Sequence, residues 1–249
     1  MDIWTFLTQI ERENNIQIIF AIESGSRVWG FESTDSDYDI RFVFVRNFKE
    51  YIHLDEKNDV INKNHRYPGL PTLDAVGFDL LKFCRLLRRS NPSCIEWLMS
   101  PTIYRDSDTR TKLFDWACEN FNPLTLWYHH QSISWKHYCQ FIVSEKCCTP
   151  KKYLYALRGA LASLFIKKNT RKLPPIQIQE LMKIQPDLSF IISQLIEKKR
   201  SQTESTKISR IQVLDDFLEQ THDNTYLFQK DDSEVNVSKL QEIVFNNIK

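Results

Sequence analysis

An α+β domain followed by a helical domain is the fold class this sequence predicts. Three observations carry it. Short apolar runs bounded by turn residues fall at residues 16–22, 38–45 and 73–80. After about residue 107 strand signals fade and helical periodicity takes over. The length of 249 residues, 42% of them hydrophobic, supplies a core for one large domain or two small ones.

The elements follow in order. Residues 2–14 place Ile3, Trp4, Leu7 and Ile10 at helical spacing, with Phe6 beside them, which predicts an amphipathic helix. Residues 16–22, IQIIFAI, sit between Asn-Asn and Gly-Ser and read as a central strand. Residues 38–45 give a second strand. Residues 58–69 are polar and hold Pro68-Gly69, so they read as a loop or ragged hairpin. Residues 73–80, LDAVGFDL, give a third strand. A helix then places Leu80, Phe83, Cys84 and Leu87 on one face and stops near Ser90-Asn91-Pro92. A short helix over 94–99 follows. Helical patterns cover 107–121, 124–144, 150–168 and 186–220, broken by Pro123, Pro150, Pro174-Pro175 and Pro186. The composition shift puts the boundary in 105–122, giving domains of residues 1–110 and 111–249.

Net charge is +1, so there is no global signature of nucleic-acid binding, although a local basic face remains open. The stretch MDIWTFLTQIERENN lacks the charged and apolar regions of a signal peptide. No apolar run reaches the ~18 residues of a membrane span. The expectation is a cytoplasmic protein whose six cysteines are reduced thiols. His129, His130, His137, Cys139, Cys147 and Cys148 match no compact zinc spacing and read as buried thiols and helix-surface histidines.

The stretch ESGSRVWGFESTDSDYDIRFVFV, residues 23–45, carries the chemistry. Asp37 and Asp39 are two apart at the start of a strand, so both point to one face, with Arg41 on the same side. Two adjacent carboxylates repel and raise each other's pKa unless cations sit between them. Mg²⁺ takes one or two carboxylates plus phosphate oxygens. Upstream, Gly25 lets the backbone approach a phosphate closely, and Ser26 adds a donor at the start of a helical turn. A strand, a phosphate-gripping turn and paired acids on the next strand form a nucleotide-handling layout. The bland alternative is a solvated Asp-rich turn.

Gly25-Ser26, ten intervening residues, then Asp37-Tyr38-Asp39 resembles the signature of polymerase-β-like nucleotidyltransferases. With LLRRSNPSCIEWLMSP downstream and KKYLYALRGALA later, the chain is similar to a bacterial and phage subgroup called RNA-ligase-associated polymerase-β-like proteins. The similarity runs over about residues 16–175. It implies a nucleotidyltransferase-type mixed sheet and transfer of a nucleotidyl group from an NTP, with release of pyrophosphate. By the resemblance, Asp37 and Asp39 bind two Mg²⁺ or Mn²⁺ ions, and Asp79 on the third strand completes the site. Asp74 is the weaker candidate for that third acid. Gly25 and Ser26 would grip the terminal phosphates, with Arg27 and Arg41 as further phosphate contacts; alternatively, Arg41 only compensates the acids.

In the helix over 150–168, Lys151, Tyr155 and Arg158 form one stripe, expected to line the far wall of an inter-domain cleft as nucleotide-binding residues; the alternative is a solvated basic face. Lys82, Arg85, Arg88 and Arg89, with His65 and Arg66, are candidates to face a nucleic-acid acceptor. The expected acceptor is an RNA or tRNA end. A protein or small-molecule acceptor, or a non-catalytic nucleotide-binding module, stands as the alternative. Neither the NTP nor the oligomeric state is set by the sequence.

Overall fold

The computed structural model describes residues 2–55, 57–66, 69–144, 148–201, 206–222 and 235–248. They fall into two compact units. The first holds the described residues through Val28, Ser36–Phe121 and the C-terminal helix; the second holds Trp29–Asp35 and the described residues from Asn122 onward to His222.

The first unit is α+β, as expected. Helix α1 (Ile3–Asn14) opens at Asp2, whose carboxylate accepts the Thr5 N–H at 2.7 Å. It closes on Asn15 at φ 50°, a left-handed stop that asparagine tolerates. Strands β1 (Gln17–Ser24) and β2 (Tyr38–Val45) are antiparallel, and β2 runs parallel to β4 (Leu73–Asp79). Strand β3 (Val60–His65) pairs antiparallel with β4, and the short β5 (Ile103–Arg105) pairs with β1. The sheet order is β3-β4-β2-β1-β5.

Two of these strands differ from the sequence reading. Residues 60–65, within the stretch read as a loop or ragged hairpin, form an edge strand that pairs antiparallel with β4. Their polar VINKNH suits an edge, where one face and one side stay wet. Strand β5 has only three residues, too few for a periodic signal.

The central strands are apolar on both faces because helices cover both. On one face Phe6, Leu7 and Ile10 of α1 pack with Ile40, Phe42, Phe44 and Ala75. On the other, Phe20 meets Phe83 of α4 (Leu80–Leu87) at 5.7 Å, and Phe78 meets Trp97 of α5 (Pro92–Met99) at 4.6 Å. The sheet and its layers hold Asp39 and Asp74 at one end. Helix α6 (Asp108–Asn120) stays wholly with the sheet, so the expected boundary at residue 110 falls inside it. The C-terminal helix α12 (Val237–Asn247) joins the same unit: Asn247 Oδ1 accepts from Thr109 Oγ1 at 2.9 Å, and the Asn236 carbonyl accepts from the Trp116 indole at 2.7 Å.

The second unit is helical. Helix α7 (Pro123–Tyr138) continues through a π-helical turn, Cys139–Val143, and packs along α8 (Pro150–Lys168). The two approach closely at Gly159, where a Cβ would stand 2.8 Å from the His130 carbonyl oxygen. The helical stretch expected over 186–220 holds a 3₁₀ turn at Pro186–Leu188, α10 (Ser189–Ser201) and α11 (Gln212–Thr221), with the short α9 (Ile178–Met182) before them. Tyr153 of α8 donates to Asp215 Oδ1 at 2.7 Å and accepts the Ile211 N–H at 2.9 Å, tying α8 to α11. No helix among the described residues is long and apolar enough to cross a membrane.

Gly77 of β4 tests the sheet packing. A Cβ there would overlap the Phe42 ring on β2. Gly77→Ala is expected to cost about 1–3 kcal/mol by overpacking, read as a lower urea midpoint. An unchanged midpoint would contradict this packing.

Candidate active site

Strand register builds the site. The parallel pairing of β2 with β4 sets Asp39 opposite Asp74, so their side chains leave the same face of the sheet. Arg41, two residues beyond Asp39, leaves that face too. Its Nη2 donates to Asp39 Oδ1 at 2.9 Å and to Asp74 Oδ2 at 3.0 Å. Its Nη1 donates to the carbonyls of Ile40 at 3.0 Å and Asp74 at 2.9 Å. The guanidinium is thus fixed between two carboxylates. Burial pushes the Asp39 carboxyl above its ordinary range; Arg41 opposes that shift, and the charges of Asp74 and Asp37 add to it. Asp37 lies just before β2, exposed, with Oδ1 accepting the Thr72 N–H at 3.0 Å.

The Gly-Ser turn is shaped to this acid. Gly25 sits at φ +68°, and a Cβ there would overlap Asp39 Oδ2. Glycine is therefore required twice, for the left-handed turn and for the approach of the carboxylate. Ser26 opens the short helix α2 (Ser26–Trp29), is 7% exposed, and donates to Ser36 Oγ at 3.3 Å. Arg27 donates to the carbonyls of Ser36 at 2.7 Å and Asp37 at 3.1 Å, and its guanidinium lies 3.9 Å from the Tyr38 ring centroid. It clamps the entry to β2.

Sequence reasoning missed Glu23 and Tyr104. Glu23 is 2% exposed at the end of β1. Its Oε1 accepts the Asp39 N–H at 2.7 Å, and its Oε2 accepts the Tyr104 hydroxyl from β5. Ser100 Oγ donates to the Glu23 carbonyl at 2.6 Å. A buried carboxylate thereby fixes the backbone of the acid-bearing residue. The available signal was an acid closing an apolar run, with one serine between it and Gly25-Ser26.

Comparison with known proteins shows the family. Residues 2–243 match the family described as RNA repair pathway DNA polymerase beta family, RlaP. The chain belongs to this family. It is 35% identical over 217 residues to YcgL of Bacillus subtilis (strain 168), covering 86% of this chain and 81% of that one. It is 28% identical over 155 residues to MJ0002 of Methanocaldococcus jannaschii, covering 57% and 56%. A solved nucleotidyltransferase-like protein from Exiguobacterium sibiricum 255-15 matches at 14% identity and a TM-score of 0.31, over 96% of this chain and 73% of that one.

Within this RlaP-family chain, one expected acid is displaced. Asp79 pairs in register with Phe44, five residues along β4 from Asp74, which is roughly 17 Å at strand rise. It also falls on the alternate face, the one Leu73 and Ala75 share with α1. Its Oδ1 caps α4 by accepting the Leu81 N–H at 2.8 Å, and its Oδ2 accepts the Tyr51 hydroxyl at 2.7 Å. Asp79 is therefore a helix cap with a tyrosine partner, and Asp74 is the β4 acid that stands opposite Asp39. Among the described residues no three of His, Cys, Asp and Glu already converge as a metal-holding set.

Arg158 differs from expectation as well. It is 8% exposed within the second unit, where Nε donates to the Ile176 carbonyl at 3.1 Å and the guanidinium covers Trp29 at 4.4 Å. Tyr155 packs its ring on Trp29 at 5.2 Å and Phe31 at 5.9 Å, while Lys151 is half-buried in the first turn of α8. The three share one side of α8 as read from the sequence, but Tyr155 and Arg158 pack within their own unit instead of forming a solvated stripe.

Glu23 gives a pH test. Burial raises its carboxyl from 4.5 to about 7, with the Tyr104 and Asp39 hydrogen bonds pulling the other way. Between those values the folded protein binds more protons than the unfolded chain. Stability present below about 4.5 is then lost as pH rises through about 7. Glu23→Gln, which keeps an acceptor for Asp39, is expected to flatten this slope in urea titrations without metal. An identical slope in wild type and variant would contradict the assignment.

Proposed function

We propose that this protein moves a nucleotidyl group from a nucleoside triphosphate to a hydroxyl at an RNA end, releasing pyrophosphate. Membership in the RNA repair pathway DNA polymerase beta family supports the reaction type and the acceptor class. The observation that carries the residue assignment is the Asp39–Asp74 pair with a cation held between it.

The donor set fits a divalent metal. Asp39 and Asp74 offer hard carboxylate oxygens on one face, and Arg41 already stands between them as a positive charge. Asp37, Asp39 and Asp74 are the residues that would hold Mg²⁺ or Mn²⁺. Bound there, such ions neutralise the triphosphate and make the attacking hydroxyl more acidic.

The chain's own groups do the rest. The Gly25-Ser26 turn lets phosphate oxygens approach the backbone beside Asp39. Glu23 and Tyr104 hold the Asp39 backbone so that its carboxylate does not wander. Arg41, once released from the acids, offers a planar guanidinium to phosphate oxygens. The RNA hydroxyl oxygen bonds to the α-phosphorus, the bond from that phosphorus to the bridging oxygen breaks, pyrophosphate leaves and the hydroxyl proton passes to solvent.

Incubation with each α-labelled NTP and Mg²⁺ or Mn²⁺, with and without RNA, tests this reading. Label is expected in RNA, and Asp39→Asn should lower the rate by roughly 10²–10³-fold with the fold intact. Label in the protein or a small molecule would move the acceptor to another class. No label at all from the folded protein would leave a nucleotide-binding module.

A further inference from the structure

A hollow of the first unit lies away from the acid pair, around Asp79. Its volume is about 530 Å³, and Arg46, Lys57, Lys82 and Arg85 are among its walls, with Tyr51 and Asp59. Lys57 pairs with Glu50 at 3.4 Å and Lys82 with Asp59 at 3.0 Å. Arg46 donates to the carbonyls of Asn14 at 3.3 Å and Asn58 at 2.9 Å.

Arg85 is different: it is exposed and makes no side-chain hydrogen bond or ion pair among the described residues. The same holds for Arg88 and Arg89 at the end of α4. Lys82 and Arg85 are at i and i+3 on α4, and Arg88 and Arg89 follow at its C-terminal end, so the cations run from the hollow along the helix and past its last turn. Three neighbouring guanidinium groups without acidic partners repel one another and favour an outside anion.

A second, independent observation comes from the segment that supplies the hollow's other wall. Between Glu50, Tyr51 and His53, which line it, and beside them, the chain exposes Phe48 at 51%, Ile52 at 66% and Leu54 fully. An apolar group of this kind left in water marks a contact surface. Cations that track a backbone beside apolar and aromatic groups that take bases are the ingredients of a single-strand surface.

Resting on the RNA-acceptor reading, we infer that the α4 arginines and the 48–54 segment form a docking surface for the body of a single-stranded RNA whose end reaches Asp39 and Asp74. The roughly 17 Å between Asp74 and Asp79 at strand rise is a short span for RNA. Single-strand sites cover roughly 4–16 nucleotides, so one strand reaches both places.

The test is fluorescence anisotropy of a labelled single-stranded RNA with the full chain. Arg85→Gln/Arg88→Gln/Arg89→Gln is compared with wild type and with Lys183→Gln, an exposed cation of the second unit. The triple variant should bind RNA on the order of 10–100-fold more weakly, with a log–log salt slope shallower by about 2. Lys183→Gln should match wild type, and Mg²⁺–NTP binding should be unchanged in all three. RNA bound by the triple variant with wild-type affinity and slope would overturn this surface and leave the RNA acceptor standing. No RNA binding by wild type, with label appearing in another acceptor, would overturn both.

Discussion

Two carboxylates facing each other across neighbouring strands are unfavourable alone, and Arg41 is what makes Asp39 and Asp74 tolerable. At about 4 Å separation and an effective dielectric near 20, two like charges repel by about 4 kcal/mol. The guanidinium replaces that repulsion with two charge-assisted hydrogen bonds at 2.9 and 3.0 Å. Arg41 is itself anchored to the carbonyls of Ile40 and Asp74, so the strand pairing and the charge pairing hold each other in place. The arrangement is an acid pair with a guanidinium held between its carboxylates.

The surrounding structure serves this pair. Gly25 leaves room for the Asp39 carboxylate, and Arg27 fixes the chain just before it. Glu23, held by Tyr104 on the edge strand, grips the Asp39 N–H from behind. Burying that carboxylate costs stability, which its hydrogen bonds only partly offset, as its raised pKa shows. An apolar residue would serve the core better, so the acid at position 23 points to a positioning role for Asp39.

Much of this was legible in the residues. The Gly-Ser turn, the Asp-x-Asp pair and the three central strands follow from spacing and periodicity. The β4 acid that faces Asp39 did not, because choosing between Asp74 and Asp79 needs the register of β4 against β2, which a single strand's pattern does not contain. A local signal did exist. Asp79 stands directly before the helical run LLKFC, where an aspartate is a preferred cap. Polarity left β3 between a loop and a ragged hairpin, and β5 was hidden by its length. The α8 residues show the same limit: their shared face was readable, but not that Trp29 and Phe31 pack there and leave Arg158 buried.

Register, not sequence proximity, sets Asp74 opposite Asp39. Mn²⁺ titration followed by electron paramagnetic resonance, on wild type, Asp74→Asn and Asp79→Asn, tests it most directly. Asp74→Asn is expected to weaken Mn²⁺ binding by roughly tenfold or more, while Asp79→Asn leaves binding intact and lowers only the melting temperature. Weakened binding in Asp79→Asn together with wild-type binding in Asp74→Asn would contradict it.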